Sequence, residues 1–219
     1  MSDYITVLGR GTDEQIIDKS RFIAYVAPAE TREEADAFIS EIKSKHKDAT
    51  HNVPAMVIGE KMQIQWASDD GEPQGTSGAP MVQMLVKEGI TNVVIVITRY
   101  FGGIKLGTGG LVRAYTSSAK LGLNAAGLCS VKKMTILKVK IDYTFLAKLQ
   151  NFEKNQGGTL AGGFEIKNIE YEDMVTAELM VMPQNVDNLK VMLANLTNAN
   201  AEILSEELAS VKIKMNERK

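Results

Sequence analysis

The sequence predicts an α+β protein of two domains, and three patterns carry this prediction. Apolar or alternating strand-like runs recur between segments whose apolar residues have helical spacing. In the second part of the chain these segments follow the order βαββαβ, which is that of a ferredoxin-like fold. A short segment of small residues, 126–128, separates the two parts. We therefore predict an N-terminal domain over 1–127 and a C-terminal domain over 128–219.

The N-terminal domain begins with two strand-like segments and a helix. Residues 7–11 and 19–26 are predicted to pair as strands. Thr31 and Glu34 form a capping box, in which the hydroxyl and the carboxylate satisfy amides at the start of a helix. The helix should bury one face, because apolar residues repeat behind the box at helical spacing: Ala35, Phe38, Ile39 and Ile42.

The rest of this domain alternates between strands and helices. Strands are predicted at 53–58 and 62–67, and a helix begins near Thr76. The continuous apolar run 93–98 predicts a central strand that is covered on both faces. A last helix over 110–126 should pack very closely on the sheet, because its inner face has only small residues: Ala114, Ser118, Ala119 and Gly122.

The C-terminal domain opens with a half-exposed strand at 137–141, where apolar residues alternate with lysines. A helix that contains Phe145 and Leu149 should end before Gly157. Two strands near 159–166 and 175–181, a helix over 186–196 and a last strand through Val211 and Ile213 complete the βαββαβ order.

Composition limits the class of protein. The chain has 219 residues, is 44% hydrophobic and has a net charge of -2, which disfavours a generic nucleic-acid coat. Its single cysteine, Cys129, excludes an intramolecular disulfide framework and fits a reducing compartment. No apolar run is long enough to span a bilayer. We expect a cytoplasmic protein with no membrane segment.

Two segments carry the candidate chemistry. Residues 69–78 read DDGEPQGTSG, and residues 99–115 read RYFGGIKLGTGGLVRAY. Nine of the 18 glycines fall between Gly71 and Gly110, where the backbone must turn sharply or approach something closely. No acidic residue occurs from Gly89 to Ile141, a stretch that has eight lysines and arginines. Phosphate is the ligand that this arrangement suits best.

The second segment follows a strand and opens a helix, so its amides and the helix dipole could bind an anion. The predicted phosphate or nucleic-acid site comprises Arg99, Tyr100, Gly102, Gly103, Lys105, Gly107, Thr108, Gly109, Gly110 and Arg113. It lacks the Gly-Lys-Ser/Thr ending of a Walker loop and the acidic residue of a dinucleotide fingerprint. The alternative is a tight turn whose cations pair with the carboxylates of the first segment.

The first segment, with His51, is a possible acidic site formed by Asp69, Asp70 and Glu72. These carboxylates could hold Mg²⁺, although Asp-Gly and Glu-Pro are also ordinary turn formers, and we expect no cofactor. Thr76 or Ser77 is a good N-cap for the following helix. Catalytic residues are not identified. Four aromatic residues could stack on bases: Trp66, Tyr100, Phe101 and Tyr115.

These two segments closely resemble the signature of the Impact/YigZ family. The resemblance extends to Lys19–Ala24 and to Tyr143–Leu146, so it covers both predicted domains. It implies an N-terminal domain similar to domain IV of elongation factor G and a C-terminal domain similar to the last domain of that factor. It therefore implies RNA or the ribosome as a partner. Where family members often have His-x-Cys-aromatic-Ala, this chain has His-Asn-Val-Pro-Ala from His51, so a thiol role there is not expected.

The resemblance also implies that eukaryotic relatives regulate translation through an additional RWD domain. We expect this chain to begin directly with the Impact-type domain, so we do not expect that mechanism here. Two functions remain. The first is a non-enzymatic RNA- or ribosome-binding regulator of translation. The second is an enzyme that acts on a phosphate-bearing small molecule or nucleotide.

Overall fold

A computed structural model describes residues 3–156 and 162–215 and confirms the predicted α+β fold with two antiparallel sheets. The chain divides into two compact units. The first contains the chain up to Val131 together with the segment that starts at Lys212, and the second is Lys132–Val211. The unit boundary thus lies a few residues after the predicted one at 127/128, and the last residues of the chain group with the first unit.

The first unit contains most of the strands and three helices. In chain order its elements are β1 (Tyr4–Val7), β2 (Gly11–Ile17), β3 (Ser20–Pro28), α1 (Arg32–Lys45), β4 (His51–Ile58), β5 (Ile64–Ala67), α2 (Gly78–Glu88), β6 (Val93–Tyr100) and α3 (Gly107–Ala126). Strand β7 (Leu128–Ile141) then continues into the second unit.

Five of these strands form an antiparallel sheet in the order β2-β3-β6-β4-β5. Helix α1 covers one face with its apolar stripe, and α2 and α3 cover the other. Strand β6 lies at the centre, and its residues from Val93 to Ile97 are fully buried. This confirms the prediction of a central strand covered on both faces.

Helix α3 packs closely on the sheet where its buried face has small residues, between the larger buried side chains of Leu111, Tyr115 and Leu123. A Cβ atom at Gly122 would lie 2.8 Å from both Ala24 Cβ and Val26 Cγ2. Ala114, Ser118 and Ala119 are buried on the same face. The predicted face of small residues is therefore confirmed, and it explains how a helix of 20 residues can approach β3 so closely.

The start of the chain differs from the prediction. Residues 7–11 do not form one strand: β1 ends at Val7 and β2 begins at Gly11. Strand β2 pairs with β3, whereas β1 pairs with the first residues of β7. Strand β2 begins at a residue that must be glycine, since a Cβ atom at Gly11 would lie 2.1 Å from the backbone nitrogen of Ala126.

The second unit contains the rest of β7, α4 (Tyr143–Asn155), β8 (Phe164–Tyr171), β9 (Val175–Val181), α5 (Val186–Thr197) and most of β10 (Glu202–Lys214), which gives the predicted βαββαβ order. The strand order is β10-β7-β9-β8, with β1 joined to the start of β7. The core lies between the helices and one face of the sheet, around Leu137, Leu149, Leu179 and Leu193. Part of the strand predicted at 159–166 lies outside the described residues.

Within the described ranges, none of the helices has both the length and the apolar character needed to cross a bilayer.

Candidate functional site

The glycine-rich segment begins at the end of β6, where consecutive side chains point to opposite faces of the sheet. Arg99 points to the face covered by α3 and is only 5% exposed. Tyr100 points to the face covered by α1, where its hydroxyl contacts His46 Nδ1 at 2.9 Å and donates to Asp48 at 3.2 Å. The prediction that both residues belong to one phosphate-binding surface is therefore corrected. A strand cannot place neighbouring side chains on one face.

A buried ion pair joins the acidic segment to β6. Glu72 Oε1 accepts hydrogen bonds from Arg99 Nη1 at 2.6 Å and from the Tyr115 hydroxyl at 2.7 Å. The Glu72 and Arg99 side chains are 3% and 6% exposed, and Tyr115 is fully buried. His51 Nε2 lies 3.8 Å from the second Glu72 oxygen. Glu72 thus neutralises Arg99 inside the protein, which withdraws this arginine from any surface role.

The Arg99 guanidinium is enclosed by aromatic rings. It lies 5.2 Å from the centre of the Phe22 ring and 5.3 Å from that of Phe101. Its Nη2 donates to Ser20 Oγ at 3.3 Å, while its Nε is buried without a partner among the described residues. Ser20 Oγ also accepts from the Gly102 amide at 3.2 Å, so the same contacts fix the start of the glycine loop.

Asp69 caps helix α2 across eight residues of sequence. Its Oδ1 accepts from the Ser77 hydroxyl at 2.6 Å and from the Gly78 amide at 2.9 Å, and its Oδ2 accepts from the Gly75 amide at 2.7 Å. Burial opposes ionisation of this carboxyl, but the hydrogen bonds from Ser77, Gly75 and Gly78 outweigh it and lower the pKa of Asp69. Ser77 is the N-cap residue by position, as predicted, yet the capping oxygen comes from Asp69.

Asp70 holds the turn to β4 and α1. Its carboxylate accepts from Lys43 Nζ and from the Asn52 amide, both at 2.6 Å, and its carbonyl accepts from His51 Nδ1 at 2.8 Å. The three carboxylates therefore accept from different donors, although His51 lies between the Asp70 carbonyl and the Glu72 carboxylate. In the part of the chain that the structure describes, no three acidic, His or Cys side chains are grouped as a metal site.

The glycine loop has one buried contact and an exposed remainder. A Cβ atom at Gly102 would lie 2.0 Å from the carbonyl group of Lys19, so only glycine allows these two backbones to touch. Gly103 and Gly107 have φ values of 88° and 68°, in the left-handed region that glycine favours. The exposed residues of the predicted site are Gly103, Lys105, Gly107, Thr108, Gly109 and Arg113, and Phe101 and Ile104 of the same loop are exposed as well.

The N-terminus of α3 lies within this exposed part. The residue before its first turn is Leu106, and neither a side-chain cap nor an acidic residue is present there. Arg113 extends over the first turn, since a Cβ atom at Gly109 would lie 3.7 Å from its Nη1. Asp69 and Asp70 do not cap this helix end, because both carboxylates bind elsewhere.

Of the predicted site, the structure places six residues at the surface around the start of α3: Gly103, Lys105, Gly107, Thr108, Gly109 and Arg113. It moves Arg99 and Glu72 into a buried cluster with Tyr115, which the sequence had suggested as a base-stacking residue. Ser20 and Phe22 complete that cluster and were missed as contributors. Their only signal in the sequence was their place in the Lys19–Ala24 segment, which carried the family resemblance.

Comparisons with known proteins identify relatives along the whole chain. Residues 18–123 match the model of the Impact N-terminal domain. The chain is 41% identical over 216 residues to the IMPACT family member YvyE of Bacillus subtilis, covering 99% of this chain and 97% of that protein. It is 32% identical to the IMPACT family member YigZ of Escherichia coli, covering 87% of this chain and 92% of that protein.

Two solved structures are similar to this chain to different extents. A crystal structure of a hypothetical protein superposes with a TM-score of 0.57 at 30% sequence identity, covering 94% of this chain and 98% of that one. The structure of the two-domain translational regulator Yih1 aligns over 56% of this chain and 47% of its own length, with a TM-score of 0.35 and 26% identity.

Proposed function

This chain belongs to the IMPACT family, and we propose that it is a cytoplasmic RNA- or ribosome-binding protein that regulates translation. In this proposal the exposed part of the glycine loop and the start of α3 bind phosphate groups of the RNA backbone. Family membership supports a role in translation, because the family resemblance implies RNA or the ribosome as the partner. The exposed cations and backbone amides of the loop support phosphate as the group that the protein contacts.

One observation carries the proposal: two exposed cations flank an uncapped helix N-terminus. These are Lys105 and Arg113, and neither has an ion-pair partner among the described residues. By contrast, Lys120 farther along α3 pairs with Glu88 at 2.7 Å. Backbone amides and the positive end of the helix dipole favour an anion at this position. The positive side chains and the backbone amides at the start of α3 therefore both favour a phosphate group as the ligand.

The glycines allow a phosphate to approach closely. Gly107 and Gly109 have no Cβ atom to shield the amides of the first turn. Apart from its chain neighbours and its own helix backbone, no described residue has an atom within 4 Å of the position that a Gly107 Cβ would take. Thr108 is exposed between them and has a hydroxyl to donate. Such contacts position a nucleic-acid backbone but do not read its sequence. We therefore expect binding with little sequence preference from this loop.

The test is a salt titration of RNA and ribosome binding. Lys105→Ala with Arg113→Ala should weaken binding to mixed-sequence single-stranded RNA and to purified ribosomes. The slope of log affinity against log salt should fall by about 0.7 for each phosphate group that the variant no longer binds. A matched control is Lys61→Ala with Lys87→Ala, which also removes two exposed lysines of the first unit. Fluorescence anisotropy and co-sedimentation measure the two affinities.

Two outcomes would contradict the proposal. The first is that the parent binds neither ligand. The second is that the Lys105 and Arg113 variant binds with the affinity and salt slope of the control.

Replacing Asp69 or Asp70 does not by itself test an enzymatic function, because both residues are engaged in structural hydrogen bonds. Loss of activity in such variants would have to be separated from loss of folding.

A further inference from the structure

Strand β10 is a long strand at the edge of a sheet. It comprises 13 residues, Glu202–Lys214, and among the described strands it pairs with β7 alone. One row of its backbone N–H and C=O groups is therefore open to another strand. Natural proteins usually block such an edge with a short strand, proline, a bulge or charged side chains, especially lysine, because an open edge invites pairing with another chain. Strand β10 is long and has no proline, and its two lysines, Lys212 and Lys214, lie at its C-terminal end.

The side chains of β10 expose apolar surface as well. Ile203, Leu204 and Leu208 are 44%, 45% and 68% exposed. Side chains two residues apart lie on the same face of a strand, so Leu204 and Leu208 share one face. All even-numbered positions from Glu202 to Lys214 are exposed, which makes this face of the strand accessible along its whole length.

The charges of this face differ in sign on the two sides of Leu208, since Glu202 and Glu206 precede it and Lys212 and Lys214 follow it. Glu202 lies six residues before Leu208 and Lys214 six residues after it, whereas Leu204 and Lys212 lie four residues before and after. An antiparallel partner of the same sequence, centred on Leu208, would place each Glu202 opposite a Lys214 and the two Leu208 side chains opposite each other. Opposite charges and apolar pairs in these positions stabilise an antiparallel pair, and like charges destabilise it.

We propose that β10 pairs with β10 of a second copy of this chain, antiparallel and centred on Leu208, so that the protein is a symmetric dimer. Such a contact uses the same surface on both copies, as a two-fold interface requires. The partner is a second copy because the pattern is self-complementary: the acidic end of one strand meets the basic end of the other.

The other sheet edges are poorer candidates for the same contact. The charges of β2 are Asp13 and Glu14, so self-pairing would bring acids together. Strand β5 has only four residues, and β8 has a register irregularity between Ile166 and Asn168. A bulge and a short length both disfavour pairing with another chain. Compared with β2, β5 and β8, the edge strand β10 has the length, the exposed apolar side chains and the charge order that favour pairing with a second copy.

The first experiment measures the mass of the full chain in solution by light scattering across a dilution series. The parent should have twice the 24.0 kDa of the monomer. Leu208→Glu should give the monomer mass, because it places two carboxylates opposite each other at the centre. Val191→Glu is the matched control, since Val191 is a 62% exposed apolar residue of α5, and this variant should remain dimeric. Circular dichroism confirms that each variant is folded.

The second experiment exchanges charges. Glu202→Lys and Lys214→Glu should each raise the dimer dissociation constant several-fold, and combining them should restore the parent value. A parent that is monomeric at every concentration would overturn the proposal. So would a dimer that persists in Leu208→Glu, or single charge variants that leave the dissociation constant unchanged. Restoration in the double variant would establish the antiparallel register.

Discussion

Arg99 donates to Glu72 at 2.6 Å in the interior of the first unit, and this contact joins the two segments that carry the signature of the family. Glu72 belongs to the acidic turn, and Arg99 is the first residue of the glycine-rich segment. The pair does not form a ligand site by itself. It holds the base of the exposed loop in place, since Arg99 also contacts Ser20 and Phe101 around that loop.

Glu72→Gln should destabilise the first unit strongly. It leaves the Arg99 charge buried without a counter-charge, and breaking a buried pair in this way costs about 3–5 kcal/mol. The single tryptophan, Trp66, lies in the first unit, so urea unfolding followed by its fluorescence reports on this unit. Glu41→Gln is the control. It removes an exposed pair with Arg10 and should change the free energy of unfolding by less than about 1 kcal/mol.

Asp69→Ala should destabilise the first unit by about 1–2 kcal/mol, because it removes the cap of α2. The effect should depend on pH. Hydrogen bonds lower the pKa of Asp69 in the folded protein despite its burial, so the ionised carboxylate contributes stability above its ordinary pKa of 3.8. This contribution is lost as pH falls through the lowered pKa. The difference in unfolding free energy between parent and variant should thus be constant above about pH 5 and shrink below pH 3.8. A difference that is independent of pH would contradict this account.

The sequence predicts the elements of this fold better than the partners of its charged residues. Helix α1, the buried strand β6 and the small-residue face of α3 follow from local patterns, since burial leaves a clear periodicity. Arg99 and Glu72 lie 27 positions apart in sequence, and no periodicity shows that they meet. The same holds for Asp69, whose helix already had a plausible N-cap residue in Ser77. Lys105 and Arg113 are exposed in a segment rich in glycine and free of acids, and their role in binding phosphate stays a prediction.

Gly122→Ala should destabilise the first unit, although alanine is normally the better helix residue. A Cβ atom there would lie 2.8 Å from Ala24 Cβ and Val26 Cγ2, and overpacking a core typically costs about 1–3 kcal/mol. Gly109→Ala in the same helix is the control. Its Cβ would have only the Arg113 guanidinium within 4 Å, at 3.7 Å, so it should be neutral or stabilise slightly. Urea unfolding followed by Trp66 fluorescence measures the free energy of unfolding of both variants. Equal changes in the two variants would show that α3 can move away from β3.

Tyr115→Phe should lower the free energy of unfolding by about 1.5–3 kcal/mol, because it removes a hydrogen bond to the buried Glu72 carboxylate. Arg99 then remains as the main partner of Glu72. Burial, reinforced by that hydrogen bond, raises the pKa of Tyr115 well above the ordinary value of 10.0. A raised pKa means that the protonated phenol contributes its full stability below pH 10.0, and that this contribution is lost as pH rises further. The parent and the variant should therefore show the same number of tyrosines ionising in ultraviolet titrations of the folded protein. After unfolding, the parent should show one more ionising tyrosine than the variant. If Tyr115 ionises before the protein unfolds, the buried contact with Glu72 is not maintained in solution.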